Sequence, residues 1–186
     1  MVKKNCCVFI SGTGTNLKAL IHSSRNYNFP INIKLVISNR RNSTGLMYAK
    51  KYSIPYTVLD TKNNLHEKRI FNEFKEKKID LICLAGYMKI LSKNFINNFN
   101  GNIINIHPSL LPKYKGTNTF KRIMKNQEKI TGCTVHFVND KLDSGKVILN
   151  KTFEINSKDN EISLKKKTQV CEYQAYSQAI VKLYMY

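Results

Sequence analysis

The sequence predicts an α/β protein built on a doubly wound, mostly parallel sheet, with an antiparallel edge extension and a long C-terminal helix. Three observations carry this. The apolar runs Cys6 to Ile10 and Ile79 to Ala85 are nearly continuous, as expected of parallel strands covered on both faces. Such runs alternate with helical segments of about ten residues, the crossover connections that parallel neighbours need. After residue 128 the pattern changes. Thr134-Val135-His136-Phe137-Val138 alternates with period two, Val147 to Ile155 is strand-like again, and the intervening Asp140 to Gly145 is rich in turn residues.

In order, residues 4–11 read as a buried strand running into Ser11-Gly12-Thr13-Gly14-Thr15-Asn16, after which Leu17, Leu20 and Ile21 recur at helical spacing. A strand, glycine loop and helix in succession offer free backbone N–H groups at the positive end of a helix, with Thr15 or Asn16 as N-cap. That suits a phosphate, although a tight turn without a ligand has the same composition. A dinucleotide fingerprint is not met, because Leu17 replaces the third glycine and the next strand ends in Ser38-Asn39-Arg40-Arg41 without an acidic residue. Ile31 to Ile37 is the second strand, Gly45 to Lys51 a short helix, and Ile54 to Leu59 the third strand. His66 to Lys78 forms a helix with Ile70, Phe71 and Phe74 inward and His66 at the surface. The strand Ile79 to Ala85 ends in Gly86-Tyr87-Met88-Lys89-Ile90-Leu91, and Asn102 to Ile106 delivers the segment Asn105-Ile106-His107-Pro108-Ser109-Leu110-Leu111-Pro112.

That octapeptide holds the strongest chemical signal. Asn105 and His107 are two apart, so their side chains share a face while the strand lasts, and Pro108 then ends the pairing. An amide donor and an imidazole meet at a strand end, the region where open α/β sheets bind ligands. Asp143 lies in the turn-rich loop further on. A carboxylate against an imidazole favours the protonated ring and yields a general acid, while Asn105 can stabilise an oxyanion without changing protonation. Ser109 is separated from His107 by Pro108 and makes a poor nucleophile. The four histidines match no zinc-ligand spacing, so no metal is expected.

With 186 residues and 42% hydrophobic content, residues 1–186 read as a single domain with a sizeable core. The balance of 31 Lys and Arg against 12 Asp and Glu favours anionic partners. The lysines are scattered among asparagines, however, and no helix shows a basic face interleaved with aromatics, which points to solvated faces rather than a nucleic-acid-binding module. The five cysteines are odd in number and lack a Cys-x-x-Cys spacing, so they read as small core residues of a reduced, cytoplasmic protein. No apolar run is long enough for a membrane span or signal peptide.

Taken together, these stretches resemble the folate-dependent phosphoribosylglycinamide formyltransferases, a Rossmann-like formyltransferase fold. The matching segments are Ile10 to Leu17, Val36 to Arg40, Leu84 to Ser92, Asn105 to Pro112, Gly132 to Val138 and Leu142 to Gly145. The resemblance implies formyl transfer from 10-formyltetrahydrofolate to the amine of glycinamide ribonucleotide, by a monomer or homodimer. It implies a catalytic trio of Asn105, His107 and Asp143, and a substrate-phosphate loop of Gly14, Thr15 and Asn16. Gln169 and Glu172, three apart on the C-terminal helix, match the polar pair near the ribose and amine. Met88, Lys89, Ile90 and Leu91 match one edge of the folate slot, and the loop from Asp140 to Asp143 matches its other wall. Lys62, Lys68 and Arg69 are loose candidates for the folate glutamate tail. Lys89, Asn118 and Lys146 depart from the Arg, His and Pro common in the family. Formyltetrahydrofolate hydrolases share the trio but have an additional N-terminal domain, and methionyl-tRNA formyltransferases an additional C-terminal one. The first strand begins within a few residues of Met1 and the chain stops at Tyr186, so neither extension is expected.

Overall fold

A computed structural model describes residues 2–59 and 65–185, with side chains of the second segment from residue 68 onward. Lys62 and the side chain of His66 therefore lie outside the described residues. The elements are β1 (Lys4–Ile10), α1 (Thr15–Ser24), β2 (Ile31–Ser38), α2 (Leu46–Lys51), β3 (Tyr56–Val58), α3 (Leu65–Glu76), β4 (Leu81–Leu84), α4 (Lys93–Asn98), β5 (Asn102–His107), α5 (Thr119–Lys125), β6 (Ile130–Phe137), β7 (Val147–Glu154) and α6 (Glu161–Met185). The strands form one sheet in the order β3-β2-β1-β4-β5-β6-β7. β1 pairs in parallel with β2 and β4, β2 pairs in parallel with β3, and β6 with β7 is antiparallel. The fold class is therefore the one the sequence predicts.

The chain divides into two compact units, residues 1–104 and 105–186. In the first, every residue of β4 is buried, as is β1 from Cys6 to Ile10, which explains runs too apolar to alternate. α1 buries Leu17, Leu20 and Ile21. Phe9, Phe74 and Phe95 pack at centroid distances of 6.1–6.5 Å, largely edge to face. In the second unit, the inner face of α6 buries Leu164, Thr168, Cys171, Ala175, Tyr176, Ala179 and Ile180 at helical spacing. Its first turn is capped by Asn160, whose Oδ1 accepts from the Ile162 and Ser163 amides. All five cysteines are free and buried.

Two elements go beyond the sequence reading. α4 and α5 are six and seven residues long, under two turns, so an apolar stripe has no room to repeat. α4 is set by its cap, Ser92, whose hydroxyl accepts from the Phe95 amide. The expected cap of α1 also differs. Gly14 occupies the N-cap with φ 70° and no side-chain cap bond is made, so neither Thr15 nor Asn16 fills that role. The cause is a close approach: a Cβ on Gly14 would lie 2.6 Å from the Gly45 Cα, leaving space only for glycine.

Candidate active site

β5 ends at His107, and its burial follows the apolar run: Ile103, Ile104 and Ile106 are buried and Asn105 is half-buried. His107 and Asp143 are themselves buried, at 5% and 8% exposure, so each must find partners within the protein. The His107 Nδ1 lies 3.3 Å from Asp143 Oδ2, and its Nε2–H donates to the Tyr114 carbonyl at 2.8 Å. Asp143 Oδ2 also accepts from the Gly116 amide at 2.8 Å. Asp143 adopts φ 47°, a conformation that Asp tolerates better than most residues and that neighbouring contacts must hold in place. Across the cluster, Asn105 Nδ2–H donates to His136 Nε2 at 3.2 Å, and that nitrogen is 3.7 Å from Asp143 Oδ1.

His136 fixes its own tautomer. Its Nδ1–H donates to the Phe137 carbonyl at 2.8 Å, leaving Nε2 as the acceptor for Asn105. Burial pushes the His136 ring below the ordinary histidine value, and this outweighs the opposing pull of that carbonyl bond and of the Asp143 carboxylate. A neutral imidazole thus orients the carboxamide, while a second imidazole sits between a carboxylate and a carbonyl.

The segment that reaches His107 is itself clamped. Thr134, fully buried on β6, donates from Oγ1 to the Ser109 carbonyl at 2.7 Å and accepts from the Leu111 amide at 3.0 Å. Ser109 Oγ donates to the Lys113 carbonyl at 2.7 Å, one residue before Tyr114. Ser109 is therefore a loop brace and is not aimed at the imidazole.

In the first unit, Ser11 joins two predicted binding stretches. Its hydroxyl accepts from the Met88 amide at 2.8 Å and donates to Asn39 Oδ1 at 2.6 Å. The Gly12 carbonyl accepts from Ser43 Oγ and the Gly45 amide, which pins the loop before α1. Met88 and Ile90 are 64% and 73% exposed, leaving apolar surface uncovered. Lys89 and Leu91 lie in the same stretch, between β4 and α4. Thr15 and Asn16 open α1, with Asn16 buried. In the second unit, Asp140 is exposed, Glu172 is buried on the inner face of α6, and Gln169 is half-buried one turn earlier. Among the described residues no group of three or more His, Cys, Asp or Glu could hold a metal ion. No described helix is long and apolar enough to cross a membrane.

The formyl transferase family model matches residues 4–180. The chain is 41% identical over 177 residues to the phosphoribosylglycinamide formyltransferase of Haemophilus influenzae, a match covering 93% of this chain and 84% of that protein. The chain belongs to the formyl transferase family. It is also 39% identical over 186 residues to the human trifunctional purine biosynthetic protein adenosine-3, covering 96% of this chain but 18% of that protein, so it spans under a fifth of such relatives. Among solved structures, the phosphoribosylglycinamide formyltransferase from Brucella melitensis superposes with TM-score 0.91 at 34% identity, covering 98% of this chain and 95% of that one. The one from Anaplasma phagocytophilum gives TM-score 0.89 at 36% identity, covering 95% and 84%.

Within this formyl transferase, His136 and Thr134 are the site residues that sequence reasoning missed. Both lie in the alternating strand Thr134 to Val138. A buried histidine beside a buried threonine in a strand was a weak signal, since either could be a satisfied core residue.

Proposed function

We propose that this formyl transferase moves the formyl group of 10-formyltetrahydrofolate to the amine of glycinamide ribonucleotide, a step of de novo purine synthesis in the cytoplasm, with residues 1–186 acting as one domain. The observation that carries the reading is the buried cluster in which Asn105 bonds His136 and His107 faces Asp143, with His136 and Asp143 3.7 Å apart. It holds a neutral amide donor and an imidazole against a carboxylate, and the nearby Ser109 hydroxyl is committed to the Lys113 carbonyl. An acid and an oxyanion donor without a nucleophile suit direct attack of an amine on a carbonyl carbon.

The formyl folate supplies the carbon to be transferred. His107 Nε2–H exchanges the Tyr114 carbonyl for the formyl oxygen, while Asn105 directs its second N–H at the same developing charge. Asp143 keeps Nδ1–H occupied, so the ring remains oriented with Nε2–H toward the reacting carbon. The new C–N bond forms to the ribonucleotide amine, the bond to the folate nitrogen breaks, and the proton lost by the amine passes through Asp143 and water to that nitrogen. Gly14, Thr15 and Asn16 receive the phosphate at the start of α1. Gln169 and Glu172 contact the ribose and amine. The exposed apolar surface of Met88 and Ile90, flanked by Lys89 and Leu91, takes one edge of the folate ring, and the Asp140–Asp143 loop takes another. No step requires a metal.

The test follows folate deformylation by the purified chain with and without ribonucleotide and identifies the product by mass. Formylated glycinamide ribonucleotide is expected. An equal rate without ribonucleotide would instead identify a hydrolase, and formylated methionyl-tRNA as the sole product a tRNA formyltransferase.

A further inference from the structure

The first 59 residues contain nine Lys and Arg but no carboxylate side chain, the first being Asp60. Along the sequence these cations are scattered; α1 holds no Tyr, Phe or Trp, and α2 holds Tyr48 as its one aromatic ring. Folding sets cations of both helices against rings. The Arg25 guanidinium lies over the Tyr52 ring at 5.5 Å and the Lys51 ammonium over the same ring at 5.9 Å. His22 Nε2 and the Tyr52 hydroxyl are hydrogen-bonded at 2.9 Å. Lys18 lies over the Tyr48 ring and Lys50 over the Tyr56 ring, both at 5.8 Å. Lys18, His22 and Arg25, from α1 and its C-terminal cap, thus meet Tyr48 and Tyr52, while Lys50 and Lys51 of α2 lie over rings of the segment that follows it, all within the first unit. Tyr52 also lines a cavity of about 620 Å³ with Lys34, Pro55, Lys77 and Lys78, where Glu76 is the one carboxylate among the described residues.

We propose that this α1–α2 face and its adjoining cavity bind single-stranded nucleic acid. Cations set beside π-faces are what an unpaired strand recognises: the phosphates take the charge, and the bases stack on the rings. The volume falls in the range that accommodates small ligands, enough for a splayed-out base. Cations at the C-terminal ends of α1 and α2 also offset the helix dipoles, which accounts for Arg25, Lys50 and Lys51 individually. It does not account for the missing carboxylates or for Lys18 and Lys34. The face gathers around Tyr52, toward the C-terminal end of α1. Gly14 lies at the other end of this ten-residue helix, roughly 15 Å away at 1.5 Å per residue, so Arg25 and the Tyr52 ring beneath it are clear of the proposed phosphate loop, whereas Lys18 and Tyr48 form the edge of the face nearest to it.

The experiment measures fluorescence anisotropy of a labelled 20-nucleotide oligouridylate with the full chain between 50 and 200 mM salt. A variant carrying Arg25→Gln, Lys50→Gln and Lys51→Gln is compared with one of equal net charge carrying Lys158→Gln, Lys165→Gln and Lys166→Gln in the second unit. The first should lower the slope of log affinity against log salt by about 2, since each single-strand phosphate contact contributes about 0.7. The second should leave the slope nearly unchanged. Tyr52→Leu should weaken binding about tenfold with the slope intact, and formyl transfer should be unaffected in all three. Equal weakening by both triple variants would overturn the proposal by showing diffuse charge. So would a duplex of the same length binding as tightly as the single strand, or capture by phosphatidylserine vesicles without oligouridylate binding. If Tyr52→Leu does not fold, the two triple variants still decide.

Discussion

Replacing Thr134 by valine removes one hydroxyl from a fully buried position while keeping the β-branched shape that suits a strand. Two backbone groups lose their partner: the Ser109 carbonyl at 2.7 Å and the Leu111 amide at 3.0 Å. A buried polar group left unsatisfied costs about 1–3 kcal/mol. Ser109 is fully buried and pays near the upper end, whereas half-buried Leu111 can recover water and pays near the lower end. The expected loss is therefore about 4 kcal/mol, a large share of the roughly 5–15 kcal/mol typical of a domain. The loss should also reach catalysis, because the braced turn carries the Tyr114 carbonyl to His107 Nε2. Urea unfolding at constant slope gives the stability change, and steady-state kinetics on the surviving folded enzyme gives the rate. Thr134→Ser, which restores the hydroxyl, should recover most of both. A Thr134→Val protein within about 0.5 kcal/mol of the parent, or one whose rate loss serine does not rescue, would refute the clamp.

Other outcomes follow from the same geometry. His107→Ala should lower turnover by about a hundredfold or more, as loss of an oxyanion donor does. Asp143→Asn should fall similarly, and the double variant should be scarcely worse than either; multiplying losses would show that the groups serve separate steps. Gly12→Val should weaken ribonucleotide binding in a stable protein, because a Cβ there meets nothing within 4 Å, whereas Gly14→Val should unfold the loop against Gly45. Calorimetry showing unchanged ribonucleotide affinity in Gly12→Val would remove the phosphate loop from the reading. The His136 ring should titrate below the ordinary value of about 6.5. Between that value and its lower folded value the unfolded chain binds a proton that the folded chain does not. The stability from neutral His136 is thus complete above the ordinary value and shrinks as pH falls through the window. Ring-proton NMR placing the midpoint at or above the ordinary value would contradict this.

Strand and helix identity was legible wherever periodicity had length to repeat, as in the unbroken burial of β4 and the inner face of α6. Asn105 and His107 were legible too, because a strand places alternate residues on one face and proline ends it. The partnerships were not. His136 joins Asn105 across 31 positions and Thr134 joins Ser109 across 25, and no local pattern encodes a distance between β5 and β6. The cap of α1 escapes local pattern for a related reason: composition favours Thr15 or Asn16, but Gly45, far along the chain, leaves room only for Gly14. Charge followed the same rule. Composition by itself determined that the first 59 residues carry nine Lys and Arg and no carboxylate side chain. Only the packing of α1 beside α2 decided that Arg25 and Lys51 share one tyrosine ring, since burying the apolar stripes of both helices on β2 is what turns their outer faces into a common surface.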